Sequence, residues 1–156
     1  MKPLASPWLL LALCGSPLAC KADKTTHSVS ATFATLDERQ RFLERYVTFR
    51  RTYDALEFKI DFVDDTSFAP GPSAVACDIR LYAKVPSDQL PKWSDGLEPW
   101  PAPTDLGWAA DMPSAPADLA GFAWYRDRPS DSGAGRVAGV SQASSEVLYR
   151  NVCARN

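Results

Sequence analysis

The sequence predicts an α+β domain: one amphipathic helix packed on an antiparallel sheet of four or five strands, with a long Trp/Pro-rich irregular segment. Three observations predict it. One capped run near residue 40 repeats its apolar residues at helical spacing. Two runs between residues 55 and 85 alternate strictly between apolar and polar, and three shorter β-like runs follow residue 120. The chain has 156 residues, enough for one domain and too few for two comfortable ones.

The helix is expected over residues 36–47. Thr35-Leu36-Asp37-Glu38 is a capping box, in which a Thr hydroxyl takes a free N–H and a Glu three residues on reaches back. Asp37 and Glu38 suit the positive end of the helix dipole. Leu36, Phe42, Leu43, Tyr46 and Val47 make one apolar stripe, with Arg39, Arg41 and Glu44 mostly off it.

Residues 55–63 place Leu56, Phe58, Ile60 and Phe62 on one face and Glu57, Lys59 and Asp61 on the other. Residues 74–85 set Val75, Cys77, Ile79, Leu81, Ala83 and Val85 against Asp78, Arg80, Tyr82 and Lys84. Each reads as a half-buried strand with one wet face. Charge suggests an antiparallel register that sets Glu57 opposite Arg80 and Lys59 opposite Asp78, with Phe58 facing Ile79 and Ile60 facing Cys77. A slip by two would set Lys59 on Arg80 and Asp61 on Asp78, and like charges directly opposite are unfavourable by up to about 1 kcal/mol per pair.

The connection over residues 64–73 contains Asp64, Asp65, Phe68, Pro70 and Pro72, and its Pro70-Gly71 step is a strong turn signal. Residues 86–120 are rich in Pro, Asp and Trp. Ser87 to Leu90 reads as a short helical turn, and the rest is too apolar for a linker and too long for an ordinary loop. Residues 121–125, 136–141 and 146–152 read as short strands, the last two joined as a hairpin through residues 142–145.

Lys2, the apolar run Trp8 to Leu13, and then Gly15, Ser16 and Pro17 have the layout of a secretory signal over residues 1–19. The run is shorter than the roughly 20 residues a spanning helix needs. Pro17-Leu18-Ala19-Cys20 resembles the bacterial lipobox, in which a small residue precedes a cysteine that is diacylated. Pro17 stands where that pattern has an aliphatic residue. The resemblance implies a lipid anchor on Cys20, and Lys21 in place of an aspartate resembles lipoproteins sent on to the outer membrane. Ordinary cleavage after Ala19 or Ala22 would instead leave a soluble periplasmic protein. Residues 20–30 then read as a polar tether, and residues 31–156 as the single globular domain.

Acylation of Cys20 leaves Cys77 and Cys153 as an even pair in an oxidising compartment. Their disulfide would close a loop of about 75 residues, stabilising by a few kcal/mol on the chain-entropy model. Two separately buried thiols are the alternative.

The formal net charge is −2, and removing residues 1–19 takes away Lys2 and no acidic residue, leaving −3. Nucleic-acid binding rests on a basic surface, which this balance argues against. Ser-His-Asp or Cys-His catalysis needs an imidazole in the site. The one histidine, His27, falls in the expected tether, and a zinc site is equally short of ligands. No cofactor is implied. Asp61, Asp64, Asp65 and Asp78 are the remaining chemical option, as carboxylates for Ca²⁺ or glycosidic chemistry. A cross-strand partner for Asp78 and turn chemistry for Asp64 and Asp65 account for them more simply.

The suggestive features are the 64–73 loop and Trp93, Trp100 and Trp108. Tryptophan is enriched at the energetic centres of interfaces, and prolines lower the entropy lost on ordering. Each ring has two roles open to it, closing the free face of a small sheet or meeting a partner, whereas Trp124, in a strand, reads as core.

Asp64-Asp65-Thr66-Ser67, Pro70-Gly71-Pro72-Ser73 and Asp78-Ile79-Arg80 resemble a pattern in small uncharacterised bacterial proteins, which carries no activity with it. In size, export, tether and lack of catalytic groups the chain is similar to the lipoprotein immunity proteins that neutralise secreted antibacterial toxins in the periplasm. The resulting expectation is a non-enzymatic periplasmic lipoprotein that binds a protein partner, most concretely a secreted toxin, and meets the membrane only through its lipid. The alternatives are an accessory or structural envelope lipoprotein and a cryptic carboxylate-based hydrolase.

Overall fold

A computed structural model describes residues 25–64, 75–129 and 133–153. The signal segment, Cys20, Asp65, Phe68, Pro70 and Pro72 lie outside the described residues. Among the described residues no helix is long and apolar enough to cross a membrane.

The fold is α+β. Helix α1 (Leu36–Leu43) and seven strands, β1 (Thr25–Val29), β2 (Ala55–Asp64), β3 (Val75–Lys84), β4 (Glu98–Trp100), β5 (Ala123–Arg126), β6 (Gly135–Ser141) and β7 (Glu146–Cys153), are joined with three short 3-10 segments. The strands form one antiparallel sheet in the order β1-β2-β3-β7-β6-β5-β4.

The capping box forms as read. The Glu38 amide donates to Thr35 Oγ1 at 3.2 Å, and the Thr35 amide donates to Glu38 Oε2 at 3.0 Å. The helix stops at Leu43 rather than at residue 47. Arg45 and Tyr46 donate to carbonyls only three residues back, tightening the last turn as the aromatic and β-branched run Tyr46-Val47-Thr48-Phe49 begins.

The expected count of four or five strands is corrected to seven among the described residues. Both additions are edges. β1 takes residues expected within the tether, and its alternation is too polar to announce a strand. β4 is three residues long and contains Pro99, which a strand tolerates at an edge because no ladder donor is needed there.

The β2–β3 register is also corrected. Lys59 stands opposite Arg80 and Asp61 opposite Asp78, the pairing that charge counting disfavours. Arg80 is in turn opposite Arg150 of β7. A row of cations (Lys59, Arg80, Arg150) thus lies beside a row bearing acids (Asp61, Asp78); the pairs of Asp78 run between the rows, and Asp61 is paired across the β1–β2 ladder with His27. Asp78 accepts from Arg80 Nε at 3.0 Å and from Arg150 Nε at 2.9 Å. Asp61 accepts from His27 Nδ1 at 2.8 Å. Asp111, far along the chain, bonds Arg80 and lies 3.6 Å from Lys59 Nζ. Opposite charges reached diagonally and from a third element outweigh the repulsion between direct neighbours.

The sheet is covered on both faces. On one, Phe58, Ile60, Ile79, Leu81, Val147 and Tyr149 pack with Phe42 and Leu43 of α1 and with Leu90 and Trp93 of the 3-10 segment Ser87–Trp93. On the other, Tyr82, Trp124 and Leu148 pack with Ala109, Met112 and Phe122 of the Trp/Pro segment. Polar pins fix this second cover to the sheet, since Asp111 binds the Lys59–Arg80 pair and Ser114 donates its amide to Glu57 at 3.1 Å and its hydroxyl at 2.5 Å. The irregular segment therefore does the work a second layer of helices would do.

Cys77 and Cys153 are directly opposed on β3 and β7 and joined as a disulfide, with Cα atoms 4.7 Å apart.

Candidate functional site

Paired residues across an antiparallel ladder share a face, and so do residues two apart on one strand. Trp124 pairs with Trp100 on one side and Gly139 on the other, and Arg126 pairs with Val137. Val137 pairs with Arg150, and Gly135 with Val152. Trp100, Arg126, Val137, Arg150 and Val152 are thereby set on one face at the β4 end of the sheet. The 3-10 segment Gly107–Asp111 brings Trp108 over the same face. Between them lies a cleft of about 350 Å³, lined by these residues with Pro103, Asp105, Asp127, Arg128 and Arg136 among others.

Four guanidinium groups line this cleft in a chain whose net charge is negative. Three are matched to carboxylates. Arg136 holds Asp127 in a fork, Nε to Oδ2 at 2.9 Å and a terminal nitrogen to Oδ1 at 2.6 Å. Arg150 holds Asp78, and Arg128 Nε donates to Glu98 at 2.5 Å. The fourth, Arg126, lies 4.8 Å from the Trp100 ring centroid and has no carboxylate partner among the described residues. Glu98 is its neighbour across the ladder but gives its carboxylate to Arg128.

The matched pairs act on the acids as expected. Hydrogen bonds from Arg136 hold the Asp127 carboxyl below the usual carboxylate range against the opposing effect of burial. Burial pushes Asp78 up, and hydrogen bonds from Arg150 and Arg80 outweigh it, leaving the carboxyl lowered. Both stay ionised at neutral pH, so Arg136 and Arg150 are structural pairs, and Arg126 is the cleft arginine without a carboxylate partner among the described residues.

Of the three tryptophans singled out in the sequence, two meet here. Trp100 and Trp108 are half-buried in the cleft wall. Trp93 is not in the cleft. It is only 3 % exposed, edge-on to Phe49 and Tyr149 on the opposite face of the sheet, and cannot meet a partner. Asp64 closes β2, paired with Val75. Asp78 answers to arginines rather than to Lys59 as first expected. His27 lies in β1 and not in a tether, with its side chain 72 % exposed. Trp124 is core, as read.

Sequence reading missed Arg126, which looks like the start of a polar loop. The available signal was its position two residues after Trp124, which puts both on one strand face. Compared with protein-family models, with curated proteins and with solved structures, the chain gives no match.

Proposed function

We propose that this chain is a non-enzymatic exported binding domain, held at the bacterial envelope by a lipid on Cys20, that inhibits a protein partner, most concretely a secreted antibacterial toxin. The observation that carries the reading is the cleft: Trp100 and Trp108, on separate elements, converge on one concave surface beside Arg126, which has no carboxylate partner among the described residues. Large rigid rings at the rim of a preformed cleft offer contact area at low entropic cost. The scaffold beneath is fixed by the Asp111 and Ser114 pins and by the disulfide, which also suits an oxidising compartment. Asp64, Asp65, Phe68, Pro70 and Pro72 are further proposed contact residues, read from the sequence.

The test is protection from neighbours. Cells lacking the protein should become sensitive to siblings that secrete the toxin, and the wild-type chain should restore growth. A W100A/W108A variant with an unchanged circular dichroism spectrum should not. Full protection by that variant would remove the cleft from the mechanism. Sensitivity absent from the deletion strain would remove toxin inhibition and favour a resident envelope partner. Mass spectrometry of the mature amino terminus tests the anchor, and an unmodified Lys21 there would leave a soluble exported protein.

A further inference from the structure

We infer that the cleft recognises an acidic segment of its protein partner, with one carboxylate seated on Arg126 and an adjoining apolar side chain between Trp100 and Trp108. This rests on the reading of the cleft as the partner-binding surface, and specifies the chemistry it selects.

Charge matching carries the inference. Each of Arg128, Arg136 and Arg150 is matched within the fold, to Glu98, Asp127 and Asp78. Arg126 is flanked by candidates, and among the described residues none serves it. Glu98 faces it across the β4–β5 ladder and turns to Arg128. Asp127, next in sequence, points to the β6 side and takes three donations from Arg136. Asp105, also in the cleft wall, accepts from the Gly107 amide at 3.0 Å.

What Arg126 has is Trp100. A guanidinium held against an indole face is oriented and partly stripped of water while its N–H fork stays available. Such a group gains most from a planar carboxylate that it can bind through two parallel hydrogen bonds. Beside Asp105, Asp127 and the ion-paired arginines, the wall has an apolar part formed by Trp100, Trp108, Pro103, Val137 and Val152. A free inorganic anion would leave these surfaces wet. An acidic residue beside a leucine or an aromatic satisfies both halves, and the cleft volume of about 350 Å³ is of side-chain scale. The net charge of the chain is negative, so the attraction is local, confined to this concave site, and sets specificity and docking orientation more than long-range capture.

The experiment uses the mature full-length protein and three fluorescein-labelled peptides of one length, with repeats of Gly-Glu-Leu-Ser, Gly-Gln-Leu-Ser and Gly-Lys-Leu-Ser. Fluorescence polarisation is read at low and high salt, with sodium acetate and sodium phosphate as competitors. The Glu peptide should bind saturably, and the Gln and Lys peptides at least about tenfold more weakly, a factor equal to 1.4 kcal/mol. R126Q should reduce Glu-peptide binding to the level of the Gln peptide, and high salt should weaken it. Equal binding of the Glu and Gln peptides, or R126Q binding the Glu peptide as the wild type does, overturns the inference. So does displacement by millimolar acetate or phosphate, which would mark a small-anion site.

The protection assay separates this inference from the reading beneath it. If W100A/W108A loses protection and R126Q keeps it, the cleft binds the partner and the acidic chemistry is wrong. If both keep it, the cleft itself is not the partner surface.

Discussion

Trp124 lies against Gly139, its neighbour across the β5–β6 ladder, so closely that a Cβ on Gly139 would stand 2.7 Å from Cη2 of the indole. The glycine is what lets the ring lie flat on the sheet and form the floor on which Phe122, Met112 and Leu148 pack. The Trp/Pro cover, and with it the position of Trp108, depends on that approach.

Gly139→Ala is therefore expected to destabilise the fold by about 1–3 kcal/mol through overpacking, read as a lowered urea midpoint with an unchanged slope. Trp124→Phe removes the ring atoms that clash. Adding Gly139→Ala to Trp124→Phe should cost less than adding it to the wild type. Strict additivity of the two changes would show that the ring is not what excludes the methyl group.

Trp93 and Trp100 should separate stability from binding. Trp93→Ala opens a cavity among Phe49, Tyr53 and Tyr149 and is expected to cost about 3–5 kcal/mol. Trp100→Ala should cost far less, on the order of 1 kcal/mol, while abolishing protection. Thermal melts of the two variants beside the protection assay check the contrast, and a melt lowered more by Trp100→Ala than by Trp93→Ala would contradict it.

Acid stability should depend on Asp78. Its carboxyl is lowered in the fold, so the unfolded chain binds the proton more tightly. The stabilisation from Arg80 and Arg150 is thus fully present above the unfolded value of about 3.9, and is lost as pH falls through the lower folded value. Asp78→Asn should be clearly less stable than the wild type at pH 6, and the gap should narrow progressively as pH falls below the unfolded value of about 3.9. Urea midpoints measured across that range test it; a gap independent of pH would mean that the carboxylate charge contributes nothing.

The Cys77–Cys153 bond spans 76 residues of sequence. Reduction, or replacement of both residues by serine, should lower stability by about 4 kcal/mol on the chain-entropy model. Both treatments should give the same shift in denaturation midpoint, and a midpoint insensitive to reductant would show that the bond does not constrain the unfolded chain.

Local physics was legible along the chain. Thr35 and Glu38 announce their capping box because its partners are three residues apart. The strands β2 and β3 announce themselves because a buried face imposes period-two alternation, and β5, β6 and β7 read as short β-like runs. The expectation that Cys20 is acylated left Cys77 and Cys153 as a pair and suggested the disulfide that the fold contains. The edges β1 and β4 were hidden for the converse reason: a polar or proline-bearing edge strand carries little of that alternation.

What only tertiary structure decided is everything that depends on a third element. The β2–β3 register turns on Asp111 and Arg150, which no pairwise comparison of the two strands contains. The separation of Trp93, in the core, from Trp100 and Trp108, in the cleft, turns on which face of the sheet each stretch of the irregular segment covers. Arg126 acquires its significance only when Glu98 is seen to turn to Arg128. Charges and rings act through space at a few ångströms, and the sequence states their spacing along the chain but not their neighbours across it.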